Sequence, residues 1–183
     1  LAHGADPNDG ETTYHAPESY EMGVLKALVE SGRLSAQSLA TMLLRKADWH
    51  HFEGIKYLLE NGADPNLMTP WGKTALHNAL ISDNALEIIA VLLEHHADPA
   101  IEGDSGHGRQ GPRRSAIALA ARRGRSDVLE LFARKSVPLT LEGVDRLIAA
   151  CALGDMDQAR SLTQTGPALL SELLAEAGDL LAE

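Results

Sequence analysis

Apolar residues along this chain recur at helical intervals, in short runs that polar turns separate. Ala79 and Leu80 lie three and four residues after Leu76, so the three side chains share one face of a helix. Thr74 precedes this run, where its hydroxyl oxygen can accept a hydrogen bond from a free backbone N–H at the helix start. The pattern predicts a helix that begins after Thr74 and buries one apolar face.

The segment SAIALAARRG, residues 115–124, has the same form. Ser115 occupies the capping position, and Gly124 stands where this helix ends. A second apolar run follows each of these helices, so the unit is a turn, a helix, a short loop and another helix. One such pair cannot cover its own apolar faces, and we therefore predict that each pair stacks on its neighbours.

The tripeptide Ala-Asp-Pro occurs three times, first within residues 1–8 and then at Asp64 and Asp98. Asp64 and Asp98 are 34 residues apart, a period typical of repeat architectures. Gly62 stands just before one copy, where a helix end needs a left-handed residue and glycine meets no steric cost. His96 takes that place in the next copy, so we expect the same turn there.

The segment TALHNA, residues 74–79, is similar to the T-P-L-H-x-A start of an ankyrin repeat at every position but the proline. TTYHAP, residues 12–17, is a weaker version, and residues 115–132 follow the pattern of a helix, a glycine turn and a second helix. On these residues the sequence resembles the ankyrin-repeat family. The resemblance implies an all-α fold, an α-solenoid of stacked helix-turn-helix repeats with short β-hairpin-like turns. It also implies that His77 and His15 are structural, each hydrogen-bonding backbone and the capping threonine.

The residues that we assign to the structural repeat motif are Thr74, Leu76, His77, His15, Gly62, Asp64, Asp98, Ser115 and Gly124. We predict a single array over residues 1–183. Its segments are the end of a truncated repeat at 1–8, repeats at 9–34, 35–66, 67–99 and 100–139, and divergent helical repeats at 140–183. The chain does not begin with Met, and it starts and stops within repeat-like sequence, so we expect a piece of a longer protein.

Composition narrows the class of protein. The net charge of −10 over 183 residues disfavours nucleic acid as a partner. The single cysteine excludes an internal disulfide and is compatible with a reducing compartment, so we expect a cytoplasmic monomer. No run of 18 apolar residues is present, and no membrane span is predicted.

The sequence contains no recognisable catalytic motif. Cys151 stands among apolar residues with no base nearby, which predicts a buried structural side chain. The adjacent pairs His50–His51 and His95–His96 would diverge by about 100° around a helix, so they do not suit one metal ion. No phosphate-binding glycine loop is present. We predict no catalytic residue, no metal and no cofactor.

Positive charge is concentrated between Ser105 and Lys135, where eight Arg or Lys residues accompany two acidic ones. Part of this stretch is an insertion, because Ser115 follows Asp98 by 17 residues whereas Thr74 follows Asp64 by 10. The inserted residues are rich in glycine and charge and poor in apolar side chains, so we expect a mobile loop.

The resemblance implies that turn tips and first helices line a concave binding face. We therefore predict a protein-protein interaction module whose partner carries an acidic patch. An aromatic residue beside arginines is the usual composition of an interface hot spot. The predicted contact residues are Trp71, Lys73, Arg109, Arg113, Arg114, Arg122 and Arg123. Three alternatives remain open: the arginines bind an acidic ligand, they bind nucleic acid, or the segment is a scaffold attached to a catalytic domain elsewhere.

Overall fold

The structure is a computed structural model that describes residues 4–107 and 110–180, the last four of them in backbone only. The chain divides into two compact units, Leu1–Ala116 and Ile117–Glu183. Each unit is described by itself.

The first unit contains three pairs of helices followed by a short hairpin. The helices are α1 (Glu11–His15), α2 (Met22–Glu30), α3 (Ala36–Asp48), α4 (Phe52–Glu60), α5 (Ala75–Ile81) and α6 (Leu86–Glu94). Two strands, β1 (Glu102–Asp104) and β2 (Arg113–Ser115), pair in an antiparallel register that places Asp104 opposite Arg113.

Helix pairs of the first unit stack on one another as the apolar pattern predicts. Helix α3 packs against α1 and α5, which are the first helices of the neighbouring pairs, and α4 packs against α2 and α6, which are the second ones. Two parallel rows of helices result. The side chains buried between the rows are mostly leucine, isoleucine and alanine, among them Leu25, Leu43, Ile55, Leu58, Leu76, Ala79, Leu80, Ile89 and Leu92.

The repeated Ala-Asp-Pro tripeptide forms the same turn in each copy. The carboxylate of Asp64 accepts a hydrogen bond from the backbone N–H of Asn66 at 2.8 Å, and Asp98 accepts from Ala100 at the same distance. Asp6 accepts from the N–H of Asn8 at 3.0 Å. An aspartate that bonds its own backbone two residues on makes a local turn, which explains why this residue type recurs at these places.

Asn66 connects one turn to the next. Its side-chain amide donates to the carbonyl oxygen of His96 at 2.8 Å, and its Oδ1 accepts from the N–H of Asp98 at 2.7 Å. Gly62 and His96, which end α4 and α6, both adopt positive φ angles of 89° and 66°. The two helix pairs therefore present their turns in the same register.

The second unit consists of helices α7 (Ala116–Arg122), α8 (Ser126–Arg134), α9 (Gly143–Ala152), α10 (Met156–Thr165) and α11 (Ala168–Leu180). Leu147, Ala150 and Ala159 form a small core against which α11 places Leu169 and Leu173. Within the described part of the chain, no helix is both long and apolar enough to cross a membrane.

The prediction that Cys151 is buried is wrong, because its side chain is exposed in the structure. Its neighbours Ala149 and Ala150 are buried, whereas Cys151 lies on the other side of α9. The local run of small apolar residues surrounds the whole helix, so composition could not distinguish its buried face from its exposed one.

Candidate partner-binding groove

A groove of about 850 Å³ opens on the first unit, between its first helices and its turns. One wall is formed by Tyr14 of α1, Arg45 and Asp48 of α3, and the C-terminal end of α5. The other wall is formed by the turn at residues 70–73 and by the hairpin that the structure describes at residues 102–107 and 110–115, which we call the finger. The groove lies entirely within the first unit.

An aromatic pair lines the groove. The ring centroids of Tyr14 and Trp71 are 5.7 Å apart with the planes tilted by 48°, and the guanidinium of Arg45 lies 4.1 Å from the Tyr14 ring centroid. Contacts of these two kinds each contribute about 0.5–1.5 kcal/mol. Trp71 nevertheless remains 44% exposed, so a large apolar surface faces solvent inside the groove.

The polar floor of the groove has its charges satisfied internally. Arg45 pairs with Asp48 on its own helix and with Glu18 at 2.7 Å. Asp48 also accepts a hydrogen bond from the side-chain amide of Asn78, which in turn donates to the carbonyl oxygen of Leu44 at 3.2 Å. This network joins α3 to α5 and gives the carboxylate of Asp48 both a cation and a hydrogen-bond donor as partners.

The finger is held in place by Asp104, which is buried at the end of β1. Its two carboxylate oxygens accept from the backbone N–H groups of Gly106 at 2.9 Å and Gly111 at 3.0 Å. Lys73 lies 3.8 Å from the same carboxylate and donates to the carbonyl oxygen of Gly106. The sequence predicted a mobile loop for these inserted residues. That prediction is wrong at the base of the loop, because strand pairing and the buried carboxylate of Asp104 order both ends of it.

Backbone contacts attach the finger to the preceding turn. The N–H of Asp104 donates to the carbonyl oxygen of Gly72 at 2.7 Å. A Cβ on Gly103 would lie 2.8 Å from Nε2 of His77 and 3.0 Å from the Gly72 carbonyl oxygen, so only glycine permits this approach. Trp71 and the finger are thus brought to adjoining positions.

His77 is fully buried and joins helix α5 to the finger. Its Nε2 lies 3.0 Å from the carbonyl oxygen of Arg114, which can only accept, so Nε2 carries the proton. Its Nδ1 then accepts from the hydroxyl of Thr74 at 2.7 Å, and Thr74 caps α5. Burial lowers the pKa of His77, which keeps the ring neutral.

His15 does not repeat this arrangement, and the expectation that it would is wrong. Its side chain is 56% exposed and lies 3.1 Å from Glu18 and 3.3 Å from Glu11. The hydrogen bond that the His15 ring donates to the Glu18 carboxylate raises the pKa of His15. Helix α1 begins after Gly10, so Thr12 lies within the helix and its hydroxyl donates to Asp9 instead of capping.

Two of the predicted contact residues line the groove besides Trp71. Lys73 is largely buried and bound to Asp104 and Gly106, so it supports the finger. Arg113 is exposed at the groove edge, where its guanidinium donates to the carbonyl oxygen of Glu102 across the hairpin.

The remaining arginines have other placements. Arg114, on β2, is half-buried, and Arg123 is exposed after α7. Arg109 lies outside the described residues. Leu76 is buried in the core, Ser115 directly precedes α7, and Gly124 adopts a positive φ of 64° between α7 and α8.

Arg122 is placed in the second unit with its side chain only 9% exposed. Its guanidinium pairs with Asp145 of α9 and with Glu176 of α11, the latter at 2.6 Å. Burial alone would lower the pKa of Arg122, but the hydrogen bonds that its guanidinium donates to Glu176 and Asp145 raise it. These contacts join three helices and leave little of the guanidinium for a partner.

Sequence reasoning missed the helix side of the groove. Tyr14, Arg45 and Asp48 belong to no sequence motif, and only the expectation that first helices line a binding face indicated this region.

Among the described residues, no group of three or more His, Cys, Asp or Glu side chains is arranged to hold a metal ion. The arrangement offers an aromatic surface and a cation, which suits recognition.

Comparisons with known proteins agree with the repeated turns and helix pairs. The sequence model of a family described as ankyrin repeats, in three copies, matches residues 21–103 and 42–139, which together make up well over half of the chain. A protein of Acanthamoeba polyphaga mimivirus that carries the name of an ankyrin repeat protein is 39% identical over 54 residues. Those residues are 30% of this chain and 13% of the viral protein, so the chain spans a small part of that relative's length.

Proposed function

Because the chain belongs to the ankyrin-repeat family, whose repeats are generally protein-protein interaction modules, we propose that it captures a partner protein in the groove of its first unit. The family and the all-α repeat fold expected from the sequence are both confirmed. The proposal concerns the particular surface, the residues that contact the partner and the absence of catalysis by this segment.

The exposed Trp71 carries the proposal. A tryptophan costs free energy when its face stays in water, yet this one is fixed against Tyr14 in a recess instead of being folded into the core. Large aromatic side chains that are held rigidly lose little conformational entropy when a partner covers them. Trp71 is therefore the residue that we expect to contribute most to binding.

We assign Arg113 as the second contact residue, since it lines the same groove and faces solvent. Lys73 contributes by holding the finger, through Asp104 and Gly106. For Arg109, Arg114, Arg122 and Arg123, contact with the partner stays a prediction, as does a single array over residues 1–183. The proposed module acts as a monomer in a reducing, cytoplasmic setting and binds by surface complementarity alone.

Affinity capture with a matched pair of tryptophan variants tests the proposal. The wild-type chain, Trp71→Ala and Trp49→Ala are immobilised and exposed to lysate of the source organism, and bound proteins are quantified by mass spectrometry. Trp49 is the control, because it is 36% exposed but is not among the residues that line the groove.

We expect at least one protein that the wild type and Trp49→Ala retain equally and that Trp71→Ala loses. The interaction is then measured with the purified partner by calorimetry, where removal of a central hot-spot residue should weaken binding by about 2 kcal/mol or more. Partners that remain bound to Trp71→Ala in undiminished amounts would place the binding surface elsewhere on the chain.

A further inference from the structure

The charges that line the groove are unequally compensated. Arg45 pairs with Asp48 and also with Glu18, which does not line the groove, and Lys73 pairs with Asp104. Four of the five Arg, Lys and Asp side chains that line the groove are therefore paired. The fifth is Arg113, whose recorded hydrogen bond goes to a backbone carbonyl oxygen. Within residues 4–107 and 110–176, whose side chains are described, no carboxylate pairs with it. Arg113 is therefore the cation lining the groove that can pair with a carboxylate of a ligand.

The uncompensated cation and the exposed aromatic surface adjoin one another. Asp104 faces Arg113 across the hairpin, and the N–H of Asp104 donates to the carbonyl oxygen of Gly72, the residue after Trp71. The two groups therefore lie on neighbouring turns that backbone hydrogen bonds fix in relation to each other. A ligand that covers Trp71 comes within reach of Arg113.

The size of the groove limits the kind of ligand. Its volume of about 850 Å³ lies in the range of pockets that enclose small ligands, roughly 300–1,000 Å³. Residues of the finger line one wall of the groove, and Trp71 and Tyr14 line it as well. A flat domain face would meet the rim, whereas a single extended segment can enter and present side chains to both walls.

We propose that the groove binds a linear segment of the partner in which an Asp or Glu side chain pairs with Arg113 and a nearby apolar side chain packs on Trp71. This rests on the proposed function and adds the chemistry of the bound element. Arginine suits the role because its planar guanidinium donates two parallel hydrogen bonds to a carboxylate.

The net charge of −10 on the whole chain does not prevent a carboxylate from pairing with Arg113 once the two groups are in contact. Exposed charges farther away than about 8–10 Å are largely screened at physiological salt, so the nearby guanidinium dominates. The overall charge instead slows the approach of an acidic partner when salt is low. We expect affinity to vary less with salt than for a ligand held by many cations.

A selection experiment tests the proposal without knowledge of the natural partner. The 183-residue chain is used to select from a phage-displayed library of random twelve-residue peptides. Enriched peptides should share an Asp or Glu within a few positions of an aromatic or large aliphatic residue. The same selection on Arg113→Glu should enrich Lys or Arg in place of the acid.

Binding of a fluorescein-labelled peptide from the enriched pool is then measured by fluorescence anisotropy. Arg113→Glu and Trp71→Ala should each weaken binding at least ten-fold. Arg160→Glu is the matched control, because it makes the same charge change on an exposed arginine that does not line the groove, and it should leave the affinity within two-fold.

Three results would overturn the proposal. The enriched peptides could share no acidic residue, Arg113→Glu could bind them as well as Arg160→Glu does, or the library could yield no binder. If peptides without an acid still require Trp71, the groove remains the binding surface and the charge rule alone fails. If peptide binding is the same in Trp71→Ala as in the wild type, both this proposal and the proposed function fail.

Discussion

Trp71 and Tyr14 lie against each other with their ring centroids 5.7 Å apart, although one belongs to a turn and the other to the first helix of the chain. The contact spans the groove and fixes the indole before any partner arrives. Recognition surfaces that are ordered in advance lose less entropy on binding. The pair therefore links the stacking of the repeats to the proposed function.

This relationship predicts measurable coupling between the two rings. The free energy of unfolding is measured in urea for Tyr14→Ala, Trp71→Ala and the double variant. The sum of the losses in the two single variants should exceed the loss in the double variant by about 0.5–1.5 kcal/mol. Strictly additive losses would mean that the rings do not support each other, and that Trp71 is not held in advance.

His77 predicts a pH dependence of stability. Burial holds its folded pKa below the ordinary value of 6.5, so the unfolded chain binds a proton more readily. The neutral His77 ring therefore contributes fully to the free energy of unfolding above pH 6.5. This contribution is lost as the pH falls from 6.5 through the pKa of His77 in the folded state.

Chemical denaturation of the wild type and His77→Gln from pH 7.5 to 5 measures this effect. His51 also has a pKa lowered by burial and His15 has one raised, so the informative quantity is the difference between the two proteins. The wild type should lose more stability on acidification than His77→Gln. Parallel curves would show that His77 does not titrate on unfolding.

Gly103 predicts that the finger tolerates no side chain at its base. In Gly103→Ala, the new methyl group would press on the His77 ring and the Gly72 carbonyl oxygen, which should cost about 1–3 kcal/mol of unfolding free energy. Gly23→Ala is the control, because nothing lies within 4 Å of its Cβ position and alanine favours helix α2. If both variants melt alike, the close approach of finger and ring is absent in solution.

Arg122 predicts a structural role in the second unit. Arg122→Ala removes the cation that pairs with both Asp145 and Glu176, and we expect a loss of about 1–3 kcal/mol of unfolding free energy, discounted for the partial exposure of the two carboxylates. Hydrogen exchange of α9 and α11 should accelerate, whereas Arg160→Ala, which breaks an exposed pair, should change little. An unchanged exchange pattern together with lost partner binding would make Arg122 a contact residue instead.

Local sequence signals were sufficient for the helix pairs and their turns. The spacing of Leu76, Ala79 and Leu80 predicted that these side chains are buried in α5, although the whole of α5 is buried and not one face alone. The repeated aspartates at Asp64 and Asp98 marked equivalent turns. These features could be predicted because each depends on residues a few positions apart. The helical period and the Asx turn are local properties of the chain.

Contacts between distant residues could not be predicted in the same way. Arg122 meets Glu176 across 54 positions, and no local pattern distinguishes a paired arginine from an exposed one. His15 occupies the histidine position of the sequence motif, but α1 begins before Thr12, whereas α5 begins after Thr74. The helix side of the groove, with Tyr14 and Arg45, likewise emerges only when α1 and α3 are stacked.

Site-specific photo-crosslinking shows directly whether the partner binds in the groove. The photoreactive residue p-benzoylphenylalanine replaces Trp71 in one variant and, as a control, the exposed Met156 outside the groove in another. Each variant is irradiated with the captured partner, and products are mapped by mass spectrometry. We expect crosslinks from position 71 to a short segment of the partner that contains an acidic residue, and none from position 156. Crosslinks from position 156 with none from position 71 would contradict this expectation.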